Sequence, residues 1–281
     1  MKMEKILLTT DFSKPSKKLL ESAKQLKESG LKEVILTHVV DISTAQASAL
    51  QFQTNSKDVL EKEKEILEEA GLEVSIFVPV GFPANEIVQL ANKEQVDMIL
   101  IASHGKGYIK QIFLGSTTFD VIRIAETPVL IEKYEDLDDE NYQLASQNKF
   151  NKVLLPLDLS QRSDNLVNWI KASNYIIDEL VLLTVIEKSK DQSEFKLKKD
   201  GAEAELESYK EKLTAKGFDV EVVIEIGTAS ENIITVAEEK EVNSIIMATR
   251  GMGTIKGLLL GSTANAVARK ANLPVILNPC L

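Results

Sequence analysis

Cysteine is nearly absent: the 281-residue chain has one, Cys280. No intrachain disulfide can form, so the thiol count gives no mark of an oxidising compartment. Histidine is as scarce, with only His38 and His104, and that excludes a closed Cys/His zinc site. Basic residues are outnumbered, 33 Lys+Arg against 43 Asp+Glu, for a formal net charge of −10. So acidic a chain lacks the broad basic face that nucleic acid or an anionic membrane surface calls for. Long apolar runs are missing as well. The opening Ile6-Leu7-Leu8 is too short for a signal peptide, and no later stretch approaches the ~20 residues that cross a bilayer. A cytoplasmic protein is the expectation.

What is present is ordinary globular composition, 44% hydrophobic and 27% charged residues. Length alone predicts about two domains. An internal repeat makes that concrete. Residues 102–131 align without a gap to 248–277, with 14 identities in 30 positions at an offset of 146. The same offset relates Val39 to Val185 and Gly81 to Gly227, and it becomes 147 at Asp11 and Asp158. A period of this size is a duplicated domain. The join is the polar, acidic stretch 134–149, so the expected boundaries are 1–135, a linker over 136–148, and 149–281.

Each half alternates short apolar runs with helical stretches. The runs 5–10, 33–39, 73–78, 97–102 and 128–132 predict strands, as do 152–156, 179–185, 219–224, 244–248 and 274–277. They are continuously apolar, as parallel strands buried on both faces are. Helices are expected over 16–28, 56–70, 84–94 and 116–126, with Gly71 a plausible C-cap. Strand–helix alternation of this kind is the α/β class with a parallel sheet.

The same glycine-bearing loop follows the fourth strand of each half. In the first it runs Ser103-His104-Gly105, nine residues, then Gly115-Ser116-Thr117; in the second, Thr249-Arg250-Gly251, nine residues, then Gly261-Ser262-Thr263. Gly105 and Gly251 let a backbone approach a ligand with no Cβ in the way. Gly115 and Gly261 open a helix, where N–H groups, a hydroxyl and the helix dipole make an anion site. The loop is neither a Walker A motif nor a dinucleotide fingerprint. Plain loop turns are the competing reading, which identical placement in both halves weakens.

On these loops, together with Ile6–Asp11, Val153–Asp158, Thr37-His38-Val39 and Leu183-Thr184-Val185, the chain resembles the universal stress protein family in its tandem form, over nearly its whole length. The resemblance implies a five-stranded parallel sheet of order 3-2-1-4-5 in each domain, the domains pairing through their last strands as the family's dimers do. It also implies an adenine nucleotide, ATP or ADP with Mg2+, in one or both domains. Asp11 and Asp158, preceded by Thr10 and Leu157, would lie near ribose or a phosphate-bound Mg2+. Val39 and Val185 would offer backbone groups to adenine. Ser103, Gly105, Gly115, Ser116 and Thr117 would hold phosphates in the first domain, and Thr249, Arg250, Gly251, Gly261, Ser262 and Thr263 in the second. Ala102 and Ala248 depart from the family motif, which begins with glycine, and predict reduced affinity.

Simpler roles stand beside these. Asp11 and Asp158 suit Asx-turns or helix caps near Ser13 and Ser160. His38 reads as a satisfied structural histidine, and His104, replaced by Arg250 in the repeat, as a solvent or phosphate contact. Lys110 and Lys256 read as solvated lysines. The segments 44–57 and 188–199 read as a lid-like helix and a solvated basic stretch. No residue set supplies an activated nucleophile with an oriented base, so no catalytic residue is assigned. The resulting expectation is a stress-response regulator that binds adenine nucleotide, with a further homodimer plausible and a protein partner unspecified. The alternative is a scaffold of the same fold that acts through protein partners without nucleotide; an adenylating or deaminating enzyme is a weaker third. Gly115→Val with Gly261→Val is expected to abolish nucleotide binding and spare the fold.

Overall fold

The structure, a computed structural model, describes residues 3–45, 48–104, 114–138, 141–187, 192–251 and 260–279; at 136–138, 141 and 194 it describes backbone only. Two compact units divide the chain, one ending at Gln147 and the other beginning at Asn148.

In the first unit the order is β1 (Lys5–Thr9), α1 (Lys14–Glu28), β2 (Glu33–Thr37), β3 (Val40–Asp41), α2 (Ile42–Ala45), α3 (Ala49–Glu69), β4 (Glu73–Phe77), β5 (Val80–Gly81), α4 (Pro83–Lys93), β6 (Met98–Ala102), α5 (Ser116–Ile124), β7 (Val129–Glu132), β8 (Tyr134–Asp138) and β9 (Asn141–Leu144). Parallel pairing places the main strands as β7-β6-β1-β2-β4. The second unit runs β10 (Lys152–Pro156), α6 (Gln161–Ile170), β11 (Glu179–Ile186), α7 (Gln192–Thr214), β12 (Asp219–Ile226), α8 (Ala229–Glu239), β13 (Ser244–Ala248), α9 (Ser262–Lys270) and β14 (Val275–Asn278). Its strands pair as β12-β11-β10-β13-β14, again all parallel. Both units are therefore the predicted 3-2-1-4-5 sheet.

Burial explains the strand pattern. Leu7, Leu8, Ile99, Leu100, Leu154 and Leu155 are fully buried in the central strands, each contributing about 1.5–3 kcal/mol. The long helices bury matching stripes. Ser56, Leu60, Glu63 and Leu67 of α3 correspond, at the offset of 146, to Ala202, Leu206, Tyr209 and Leu213 of α7, and all eight are buried. At one level of the stripe the chemistry is exchanged. In the first unit Lys17 of α1 acts electrostatically on Glu63, whose carboxyl oxygens have no hydrogen-bond partner among the described residues. In the second, Asp164 of α6 accepts a hydrogen bond from the Tyr209 hydroxyl at 3.0 Å.

Two features differ from the sequence reading. The walls of the first sheet are broken: β2 stops at Thr37 and resumes as β3, and β4 stops at Phe77 and resumes as β5. In the second unit β11 and β12 run together without a break over eight register pairs. Pro79, which has no N–H to donate, stands in the gap of the first sheet, where the second has Glu225. The stretch 134–144, read as part of a polar join, forms the antiparallel pair β8–β9. Tyr134 and Leu144 face each other in register and are both buried, an apolar pair hidden among acidic residues.

Candidate functional site

In each unit the first and fourth strands are neighbours, and the chain leaves them in opposite directions. This is the switch point at whose carboxyl edge open α/β sheets bind ligands. Every candidate residue that the structure describes lies at this edge or in the turn that follows it. Gly105 lies outside the described residues, as do Lys110 and Lys256.

After β1, Thr10 is buried and its N–H donates to the Thr37 carbonyl at 2.9 Å. Asp11 then accepts from the Ser13 N–H at 3.0 Å, and Ser13 caps α1 by accepting from Ser16 N–H at 3.2 Å. In the second unit the Leu157 N–H donates to Leu183 at 2.8 Å. Asp158 Oδ1 accepts from the Ser160 N–H at 3.2 Å, the Ser160 hydroxyl at 2.7 Å and the Ser163 hydroxyl at 2.9 Å. The two aspartates thus make Asx-turns. Their other oxygen is a separate matter: a Cβ added to Gly251 would lie 2.6 Å from Asp158 Oδ2. The Asp158 carboxylate rests against the Gly251 backbone, and a side chain at 251 would force that carboxylate to shift.

Phe12 and Leu159, the residues after these aspartates, have φ of 61° and 58°. A left-handed conformation costs a bulky residue about 1–2 kcal/mol, and strain of this kind collects at functional edges. Phe12 stacks on His38 with ring centroids 4.3 Å apart. His38 Nδ1 lies 2.8 Å from the Thr10 carbonyl, while its counterpart Thr184 donates its hydroxyl to the Leu157 carbonyl at 2.9 Å. Two unlike side chains hold the same turn, so His38 has the structural role expected of it.

Backbone parity places Val39 and Val185. Successive strand residues direct their N–H and C=O to opposite sides. Leu183 faces β10, since its carbonyl accepts from Leu157, and Ile186 faces β12, since its carbonyl accepts from Gly227 at 3.0 Å. Val185 therefore turns its N–H and C=O to the β10 side, beyond the last β10 pair at Pro156. Val39 does the same past Thr10, because Thr37 faces β1 while His38 and Val40 bond to Phe77 and Pro79 on the other side.

At the far side of each crevice, Gly115 N–H donates to the Ser103 carbonyl at 2.8 Å and Gly261 N–H to that of Thr249 at 2.7 Å. Ser103 and Thr249 are buried. These bonds aim the first turns of α5 and α9, led by Ser116-Thr117 and Ser262-Thr263, at the strand ends, and neither N-cap glycine has a side chain to cap them. Their first N–H groups lack intrahelical partners by geometry, as an anion site requires. Ala102 lies in β6 paired with Glu132, and Ala248 in β13 paired with Asn278; neither has positive φ. Alanine at these positions therefore carries no backbone strain.

Residues that the sequence did not single out complete each edge. In the second unit the Arg162 guanidinium reaches from α6 to the Gly251 carbonyl, with Nη1 at 3.4 Å. In the first, Tyr134 and Tyr142 of the β8–β9 hairpin pack on His104, at centroid distances of 5.8 and 6.2 Å. His104 Nδ1 also lies 3.1 Å from the Ser103 hydroxyl. The Tyr134 hydroxyl is buried with no hydrogen-bond partner among the described residues. Burial, then the Glu132 and Asp11 carboxylates, push its ionisation well above the ordinary phenol range. No helix among the described residues is long and apolar enough to cross a membrane.

Comparison with known proteins adds to this geometry. The family model described as the universal stress protein family matches twice, over residues 2–133 and 149–279. A universal stress protein of Synechocystis is 27% identical over 97% of this chain and 88% of its own. One from Methanocaldococcus jannaschii is 35% identical over 46% of this chain and 94% of its own. The solved structure of a universal stress protein from Archaeoglobus fulgidus is 27% identical, with a TM-score of 0.76, covering 98% of this chain and 95% of that one.

Proposed function

The chain belongs to the universal stress protein family, with two domains in tandem, and from that premise we propose that it is a stress-response regulator that binds adenine nucleotide, ATP or ADP, at the carboxyl edge of its sheets. One observation carries the reading most: the Asp158 carboxylate lies against Gly251 beside the glycine-led start of α9. Val185 faces the same crevice with its backbone, a matched donor and acceptor of the kind a purine edge takes. Adenine would sit against Val39 or Val185, ribose near Asp11 or Asp158, and phosphates at the helix starts.

Mg2+ fits this donor set in one mode. Among the described residues no group of three His, Cys, Asp or Glu is arranged for a metal. The ion would be held by phosphate oxygens and water with a single protein carboxylate, Asp158 or Asp11, as Mg2+ commonly is. When bound, it neutralises phosphate charge in an acidic protein.

The test is to denature freshly purified protein, identify released nucleotide by chromatography, and titrate emptied protein with Mg-ATP in a calorimeter. Bound ATP or ADP, or saturable heat, is the expected result; neither would leave the reading without support. A second reading, a scaffold acting through protein partners, is favoured in the first domain by the two tyrosines packed over His104.

A further inference from the structure

We infer that the groove between α1 and α3 of the first domain is a docking site for an acidic amphipathic helix of a partner protein. Its walls involve none of the glycine loops.

Along α3 an apolar row is left uncovered beside the buried one. Phe52, Val59 and Ile66 are 51%, 37% and 40% exposed. Spaced by seven residues, they line up over about 21 Å of helix. Val59 and Ile66 stand four before and three after the buried Glu63, so both are its neighbours on the helix surface. Lys17 of α1 acts on that same glutamate, which puts the row on the side of α3 that α1 approaches.

The α1 wall is basic. Lys17, Lys24 and Lys27 recur at helical spacing on one face, with Leu20 buried among them. Lys27 Nζ donates to the Ala70 carbonyl at 2.6 Å, just past the end of α3, so this face follows α3 along its length. The three lysines are exposed, and none has a salt bridge among the described residues.

The other half of the chain shows that the fold does not need this surface. At the offset of 146, α7 carries Lys198, Glu205 and Lys212 at the three positions of the row. At the offset of 147, Asp164 and Asn174 replace Lys17 and Lys27. The fold therefore accepts charge at every position of the row, while the first domain keeps it apolar at the cost of exposure.

Wall chemistry selects the occupant. An apolar row beside a row of cations takes a helix that presents apolar residues at i, i+3 or i+4, and i+7, with carboxylates along one flank. A second copy of this chain is the poorer fit. A two-fold axis that paired the row with itself would bring both lysine walls to the same side of the joint, like charge against like.

The test uses the full-length chain and a dye-labelled synthetic helix of three heptads, kept below its own association concentration. Leucine fills its a and d positions and glutamate its flanks; a twin carries lysine for each glutamate. Fluorescence anisotropy should show the glutamate peptide binding at least about tenfold more tightly than its twin, and weakening as salt rises. Phe52→Lys with Val59→Glu and Ile66→Lys, the residues α7 already carries, should melt near the wild-type temperature and lose the glutamate peptide. Lys24→Glu should narrow the preference between the two peptides and leave melting unchanged. No binding by wild type, equal binding of the two peptides, or full binding by the triple variant overturns the inference. If the triple variant does not fold, an unchanged preference in Lys24→Glu overturns it alone. A wild-type dimer in sedimentation that the triple variant makes monomeric also overturns it, because a second copy then holds the groove.

Discussion

Glu63 and Tyr209 hold the same place in the two halves and meet burial by different chemistry. Tyr209 keeps its hydroxyl on Asp164 and Glu205. Glu63 is 5% exposed, with no side-chain hydrogen bond among the described residues, and burial, partly offset by Lys17, raises its carboxyl from 4.5 to about 7. The folded state therefore holds a proton that the unfolded chain gives up between those values. Its contribution is full below about pH 4.5 and is lost as pH rises through 7. Glu63→Gln should match wild type near pH 4 and exceed it at pH 8 by up to about 3 kcal/mol. Urea denaturation at both pH values decides this; a difference independent of pH would remove burial of the charge as its cause. Among the glycines, a Cβ at Gly115 meets nothing nearer than 3.6 Å, whereas at Gly261 it meets the Thr249 carbonyl at 3.2 Å. Gly115→Ala should be nearly neutral and Gly261→Ala should cost about 1 kcal/mol, read in thermal melts of the two variants. Valine at Gly261 would bring the same Cβ onto the Thr249 carbonyl, so Gly261→Val is expected to cost some stability as well as binding. The glycines and aspartates of the site were legible in sequence because the repeat displays them twice. Arg162 was not, since its counterpart is proline and no repeat signal marks it.

At the scale of elements, the central strands were visible as continuous apolar runs because both their faces are buried, whereas the outer strands β4 and β12 carry exposed polar residues between apolar ones. Helix beginnings were less visible. The segment 44–57, read as a lid-like helix, splits between α2 and the first turns of α3, and the basic stretch 188–199 runs into α7. Their outer faces mix polar residues with exposed apolar ones such as Leu50, Phe52 and Leu197, which blurs the helical spacing of the buried stripe. The β8–β9 hairpin escaped because acidic residues outnumber its Tyr134–Leu144 pair. Within α7, Gly201 is exposed and a Cβ there would meet nothing within 4 Å. It carries the backbone entropy cost of glycine with no packing reason for it. Gly201→Ala should stabilise by about 0.5–1 kcal/mol, seen as a higher denaturation midpoint with unchanged slope.

For the molecule as a whole, the duplication made the architecture readable: each half predicts the other, and a period of 146 residues admits no solenoid. It equally concealed how unlike the two sites are, because alignment emphasises what is shared. Ligand binding should expose the difference. Nucleotide at a hundredfold excess over its dissociation constant stabilises the state that binds it by about 2.7 kcal/mol. Calorimetric scans with Mg-ATP should therefore raise the melting of this chain by several degrees.

The exchanged pairs, Lys17 with Glu63 and Asp164 with Tyr209, bear on how such a gene can change. Duplicated segments tend to overwrite one another by gene conversion, which erodes their differences. Here a conversion tract that carried only the glutamate into the second copy would place it at position 209, among Asp164 and Glu205, three carboxylates around one buried spot. A tract carrying only the lysine would remove one of the two acceptors of the Tyr209 hydroxyl and leave Glu205 alone to take it. A tract spanning both α6 and α7 would carry each buried residue together with its partner, so it is the long exchange, not the short one, that keeps these pairs matched.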